Sequence, residues 1–198
     1  MRFCKQNVPC RAKWIFLMKM RTDNRQYEGE ADIFSLDYEG RGVARVNGKA
    51  LFIEGAMPGE RVRFEIIRSK KQFDEARVID ITRYSENRVE PKCRYFDTCG
   101  GCSIQHIDST AQIAFKQRIM EEQLERIGKI RPKQILPAIY GTPWHYRERA
   151  RLSISKDAGG RLKIGFKAKK SHEVIDVDSC MVLPAHISEK LPKIKQML

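Results

Sequence analysis

Between Tyr27 and Tyr84 apolar and polar residues alternate in short runs broken by turn residues. GEADIFSL (29–36), GVARV (42–46), KALFI (49–53), RVRFEII (61–67) and FDEARVIDI (73–81) each split their side chains between two faces at a period of two. That is the repeat of a strand with one buried face. Asn47-Gly48, between the second and third runs, is a strong two-residue hairpin signal, and Gly55, Pro58 and Gly59 mark the next turn. In the fourth run Val62, Phe64 and Ile66 share one side. Five short strands in about 55 residues predict a small closed barrel of the OB type over residues 25–84. An SH3-like barrel or a sandwich fragment would also accommodate them.

The period then changes. Residues 109–127 read as a helix: Ser109 and Gln112 fit a capping box, and Phe115, Ile119, Met120, Leu124 and Ile127 form an apolar stripe. Gly128 suits the helix end, and Pro132, Pro137 and Pro143 mark a connecting segment. A second hairpin is predicted over 146–168, with arms 146–155 and 161–168 around Asp157-Ala158-Gly159-Gly160. Tyr146, Ala150, Leu152, Ile154, Leu162, Ile164 and Phe166 fall on one face, with Glu148 the exception there. Arg147, Arg149, Arg151, Arg161, Lys163 and Lys167 fall on the other. The expected fold is α+β: a five-stranded barrel, then a mixed domain over 85–198.

Charge sharpens this picture. The chain is 198 residues long with a net charge of +13, which favours polyanionic partners. Residues 144–170 carry nine Lys or Arg against two acids, more than half of that excess. The six cations of the hairpin, with Lys169 and Lys170 at its edge, are therefore candidates for RNA phosphates, and the guanidinium planes can also stack on bases. A solvated basic face is the plainer alternative. On the barrel, Arg41, Arg45 and Lys49 are the corresponding candidates, with Tyr38 and Phe52 as stacking or core residues. No apolar run approaches a membrane span, and the patch Trp14 to Met18 is short for a secretory signal and has no cleavage site after it. The expectation is a cytoplasmic chain. Its residues 1–24 would be a basic disordered tail, or the product of a start placed upstream of Met18 or Met20; Cys4 and Cys10 receive no role.

The remaining cysteines carry the most specific chemistry. Cys93, Cys99 and Cys102 follow C-x5-C-x2-C, with Gly100-Gly101 between the last two, and 77 residues separate Cys102 from Cys180, which lies in DVDSCMVLP. A tight triplet plus one distant thiolate suits an iron–sulfur cluster. Structural zinc usually takes two short knuckles, and only Cys99 and Cys102 make one here. Free or redox thiols complete the alternatives. The glycine pair is expected to supply unusual backbone angles and close main-chain approach.

The run from Cys93 to His106, C-x5-C-G-G-C-x2-Q-H, resembles the cluster motif of the RNA uracil-5-methyltransferases. YRERARLSI (146–154), GFKAKKSHEVIDVDSC (165–180) and the barrel agree with it in order and spacing. The resemblance implies a TRAM barrel and a 4Fe-4S cluster on Cys93, Cys99, Cys102 and Cys180. It points to the branch making 5-methyluridine in 23S ribosomal RNA, because tRNA-acting members usually lack both barrel and cluster. In that family a thiolate adds to carbon-6 of uracil, S-adenosylmethionine supplies the methyl group to carbon-5, and a base removes the carbon-5 proton.

Those functions belong to the family's C-terminal Rossmann-like domain. The sequence ends at Leu198, and no glycine-rich strand-to-helix loop follows Tyr84. The expectation is thus a monomeric N-terminal portion that binds 23S ribosomal RNA and is inactive alone. It would hold no catalytic or S-adenosylmethionine-binding residue, and Cys180 would be a cluster ligand rather than a nucleophile. A stand-alone RNA-binding or redox-responsive module, with cluster or zinc, is the alternative. The cluster would be a structural staple, and the helix stripe would lie exposed in the absence of the catalytic domain. His106 would bond near a cluster sulfur or sit at the surface, and His145 would only pack.

Overall fold

The computed structural model describes residues 29–197; the readings placed on the N-terminal tail, Cys4 and Cys10 lie outside them. The first apolar run divides into β1 (Gly29–Asp32) and β2 (Ser35–Leu36). β3 (Gly42–Val46), β4 (Lys49–Glu54), β5 (Arg61–Ser69) and β6 (Phe73–Arg83) follow as expected, the last two running two residues longer than predicted. The sheet order is β1-β5-β6-β4-β3-β2, antiparallel except for β4 against β6. Since β1 and β2 are consecutive stretches of one segment, the ladder returns to its start and closes. The handover occurs between neighbours: Ile33 N–H donates to Glu60 O at 2.9 Å and Phe34 N–H to Val43 O at 3.1 Å. Closure leaves no free edge, and this strand order is that of an OB-type barrel.

Its interior is built by alternation. Ala44, Leu51, Ile53, Val62, Phe64 and Ala76 are all buried in one cluster, with Ile66 packed against it. Asn47 (φ 49°) and Gly48 (φ 78°) both take positive φ, as a primed hairpin turn requires.

α1 (Ser109–Arg126) starts at Asp108, whose carboxylate accepts from the N–H groups of Thr110 and Ala111. The predicted capping box does not form, because Gln112 instead donates to Ile104 O and Ile107 O. The stripe is not left bare either. Phe115 and Ile119 pack with Ala111 and Ile107 on Leu36 and Met57 of the barrel, which supplies the apolar partner that was expected to be missing. Met120 and Ile127 of the stripe remain exposed, and apolar exposure continues on the irregular stretch beyond the helix, at Ile130, Leu136, Ile139, Tyr140 and Tyr146.

The second hairpin is shorter than predicted. β7 (Ser153–Lys156) and β8 (Leu162–Lys167) pair, but residues 146–152 form no strand, and β9 (Val174–Asp176) pairs on the other side of β8. The single face of six cations therefore does not form. Residues 145–147 are drawn elsewhere, His145 and Arg147 donating their N–H groups to Met181 O and Val182 O. On β8 the alternation holds, with Ile164 buried; on the edge strand β7, Ile154 is exposed. α2 (Ala185–Ser188) and α3 (Leu191–Gln196) close a small core of Val177, Leu183 and Leu191, joined by Leu152, Phe166 and Ile175.

Two ion pairs tie this domain to the barrel. Arg88 bridges to the fully buried Glu60 and donates to Gly55 O at 2.6 Å, and Lys170 reaches Glu54 at 3.0 Å. Among the described residues no helix is long and apolar enough to cross a membrane.

Candidate metal centre and nucleic-acid interface

Cys93, Cys99, Cys102 and Cys180 line one cavity, with Tyr95, Phe166, Val177 and Val182 around them. The chain reaches this arrangement through backbone pairing. The turn from Cys93 is closed by Phe96 N–H to Cys93 O (3.0 Å) and Cys99 N–H to Tyr95 O (2.7 Å). It is then laid along the end of β8 by Gly100 N–H to Lys167 O (2.9 Å) and Lys169 N–H to Thr98 O (3.0 Å). Gln105 Oε1 accepts from Cys93 N–H at 3.3 Å, and Ser188 Oγ accepts from Cys180 N–H at 2.8 Å. The distant fourth cysteine is thus presented by α2 and its preceding turn.

The glycine pair has a different reason from the one expected. Neither Gly100 nor Gly101 takes a positive φ. A Cβ on Gly100 would stand 2.9 Å from Lys167 O, so the residue is small because β8 passes against it. Gly101 does bring a main-chain N–H to a thiol, 3.4 Å from Cys99 Sγ.

Burial pushes the Cys93 and Cys99 thiols up, and the thiols of Cys102 and Cys180 push the same way. The Tyr95 and Gly101 N–H groups oppose this at Cys93 and Cys99 respectively, and Lys169 also opposes it at Cys99. Among the described residues, no three His, Cys, Asp or Glu side chains meet closely enough to hold one metal ion. A single zinc needs every sulfur about 2.3 Å from one centre, whereas the thiolates of an iron–sulfur cluster each bond a different iron.

His106 departs from both readings given to it. It is 2% exposed, is not among the cavity-lining residues, and has no hydrogen-bond partner on either ring nitrogen. Its ring lies 5.7 Å from that of Phe96. Burial, then Arg88 and Lys169, lower its pKa to about 3, so it is neutral. His145 does more than pack: Nδ1 lies 2.8 Å from Leu183 O.

The predicted cations are dispersed. Arg147 is half-buried at the cysteine cavity, with Nη1 3.5 Å from Gly101 O. Arg149, Arg151, Arg161 and Lys167 are exposed. Lys163 pairs with Glu173 at 3.5 Å, Lys170 with Glu54, and Lys169 lies 4.3 Å over the Phe96 ring. On the barrel, Arg41 is held by Asp37, Glu39 and Glu75 and lies over Phe52, Lys49 pairs with Asp74 at 2.7 Å, and Arg45 donates to Gly48 O. Sequence reasoning missed Gln105 and Ser188 as groups fixing the cysteines. Gln105 was quoted within the motif, but nothing in the local pattern marks Ser188.

A TRAM domain is matched over residues 28–79. The 23S rRNA (uracil(1939)-C(5))-methyltransferase RlmD of Neisseria lactamica is 61% identical over 168 residues, covering 85% of this chain and 37% of that protein. RlmD of Azoarcus sp. is 50% identical, covering 85% of this chain and 39% of its own. The chain spans somewhat over a third of the length of the curated relatives it matches. Among solved structures, Pyrococcus abyssi tRNA (uracil-54, C5)-methyltransferase in complex with S-adenosyl-L-homocysteine aligns with a TM-score of 0.58 and 25% identity. It covers 84% of this chain and 36% of that one. A tRNA-acting enzyme therefore shares this architecture, so barrel plus mixed domain does not by itself separate ribosomal from transfer RNA enzymes.

Proposed function

We propose that this chain, a TRAM-bearing homologue of the 23S ribosomal RNA uracil-C5-methyltransferases, supplies the RNA-gripping and iron–sulfur portion of such an enzyme. The observation that carries the reading is the meeting of Cys93, Cys99 and Cys102 with Cys180 at one cavity, inside the domain that bears most of the excess positive charge. The donor set fits a 4Fe-4S cluster: four thiols, an apolar wall, a backbone N–H at Cys99 and a nearby guanidinium. When bound, the cluster supplies a coordinate cross-link between residues 93–102 and residue 180. The protein's own part is to fix the thiols. Gln105 and Ser188 hold the backbones of Cys93 and Cys180, the aromatic wall excludes water, and Arg147 and Lys169 offset negative charge.

In this reading Arg149, Arg151, Arg161 and Lys167 contact RNA phosphates directly. Lys163 and Lys170 exchange a carboxylate for a phosphate on binding. Arg41, Arg45 and Lys49 border the barrel's share of the interface. Methyl transfer from S-adenosylmethionine to a uracil of 23S ribosomal RNA belongs to the complete enzyme, and the target base must leave any stack to be reached. Among the described residues there is no parallel β-α-β unit that could seat the methyl donor. In this reading the chain's role is to grip and present the RNA, as a cytoplasmic monomer.

Titrating a ribosomal RNA fragment against salt tests this. The triple variant Arg149→Glu, Arg151→Glu, Arg161→Glu should lose most of the salt-sensitive affinity and flatten the salt slope by roughly three phosphate contacts. Unchanged affinity and slope would place the RNA elsewhere and sink the reading.

A further inference from the structure

The four cysteines are not held alike. Cys93, Cys99 and Cys102 share one short stretch closed by its own backbone bonds, whereas 77 residues separate Cys102 from Cys180. Closing so long a loop costs chain entropy that no local turn offsets. Cys180 therefore needs support from outside its own segment. Ser188 holds its N–H, and a second set of contacts meets the same strap, residues 176–180, two positions upstream at Asp178.

Asp178 is gripped from two sides. Tyr95, two residues after Cys93, accepts the Asp178 N–H on its phenol oxygen at 3.0 Å and donates its O–H to Asp178 Oδ2 at 3.2 Å. Arg94 donates to the same Oδ2 at 2.7 Å and lies 4.8 Å from the Tyr95 ring centroid. From α3, Lys195 Nζ reaches Asp178 Oδ1 at 2.8 Å and Asp176 Oδ1 at 2.7 Å. Asp176 is itself anchored, its Oδ1 accepting from the Ile164 N–H of β8 at 3.0 Å. The Lys195 side chain is only 15% exposed, although lysines ordinarily keep their ammonium in water. Tyr95 joins the two halves of this arrangement. Its ring lines the cysteine cavity and packs with the core of Val177 and Leu183, while its hydroxyl holds the strap. A phenylalanine would give the same ring to that core, so packing alone does not account for the hydroxyl.

We infer that Tyr95, Asp178 and Lys195 act together as positioning residues that keep the Cys180 thiol at the site, tying its strap to the Cys93 turn on one side and to α3 on the other. The inference rests on the iron–sulfur reading above. It adds groups that bond no metal themselves and that set how long the fourth thiolate stays in place. Cys180 leaves by local opening of residues 176–180, and the bonds to Asp178 must break for that opening to occur.

The test follows cluster loss from the chain purified without oxygen, as decay of its visible absorption in excess ferrous-iron chelator, with amide exchange read on the same samples. Tyr95→Phe keeps the ring and removes only the hydroxyl. It should release iron roughly five- to tenfold faster and speed exchange of the Asp178 amide, while β3 to β6 and β8 keep their protection. Lys195→Met should act in the same direction through the carboxylate, and Lys195→Arg should restore most of the original lifetime. Release at the unmodified rate in both Tyr95→Phe and Lys195→Met would overturn the clamp while leaving the cluster reading intact. Faster release in Tyr95→Phe with equal loosening of β8 would assign the effect to general instability, against the proposal. An unmodified chain with no iron–sulfur absorption would overturn the cluster reading and the clamp with it.

Discussion

In the barrel, Leu51, Ile53, Val62 and Phe64 meet inside a sheet that closes on itself, and β3, β4, β5 and β6 each have two paired neighbours. In the cysteine-bearing domain, a three-stranded sheet has an edge at β7, its buried core is Val177, Leu183 and Leu191, and residues 128–152 cross it without regular structure. The barrel is stabilised by apolar area that its own alternation supplies. The second domain has less such area for its length, and its most distant segments meet at thiols. In the proposed reading this domain depends on a cross-link at those thiols where the barrel depends on packing.

Removing the cross-link should therefore separate the two regions most sharply. Cys180→Ser is expected to free β7, β8 and β9, raising amide exchange there toward unfolded rates while β3 to β6 keep their protection. Equal loosening of both regions, or of neither, would contradict the division.

Next comes the joint between them. Arg88 reaches from the second domain into the barrel, where Glu60 is fully buried. Arg88→Ala leaves that carboxylate without its cation and should cost about 3–5 kcal/mol, read as a lower barrel melting temperature. A loss confined to the cysteine-bearing domain would show that the pair serves the other side.

The effect that is smallest near neutral pH, and grows only on acidification, is a pH dependence. Burial, helped by Arg88 and Lys169, holds His106 neutral in the folded state with a pKa of about 3, against 6.5 when unfolded. A depressed folded pKa gives stability that is complete above pH 6.5 and is lost as pH falls toward 3. The slope should approach about 1.4 kcal/mol per pH unit in that window. His106→Leu should flatten it in denaturant titrations between those limits, and an unchanged slope would assign the acid sensitivity to other groups.

The same contrast explains what the sequence disclosed. The barrel was legible because a period of two, Asn47-Gly48 and buried Val62 and Phe64 are local signals that agree with one another. The splitting of the first run at Ile33-Phe34 was not, since it arises from ladder closure with residues far away in sequence. At the candidate site, the tight spacing of Cys93, Cys99 and Cys102 with the distant Cys180 named the thiols, and the family resemblance implied that they act as one ligand set. The cations were misplaced for a tertiary reason: Arg147 has a strand-like sequence around it, yet its backbone pairs with Val182 and carries the side chain to the cavity. Asp108 displaced Ser109 as helix cap because its carboxylate reaches two free N–H groups. The apolar stripe of α1 was visible from Phe115 to Leu124, but its partner, Leu36 and Met57 of the barrel, could only be found in three dimensions.

The central claim is that the four cysteines hold a cluster that staples the second domain. The direct measurement is metal and sulfide analysis of the chain purified without oxygen, together with its visible spectrum. The account predicts a brown protein with about four irons and four sulfides per chain, lost in Cys180→Ser. A colourless protein with about one zinc per chain would contradict it.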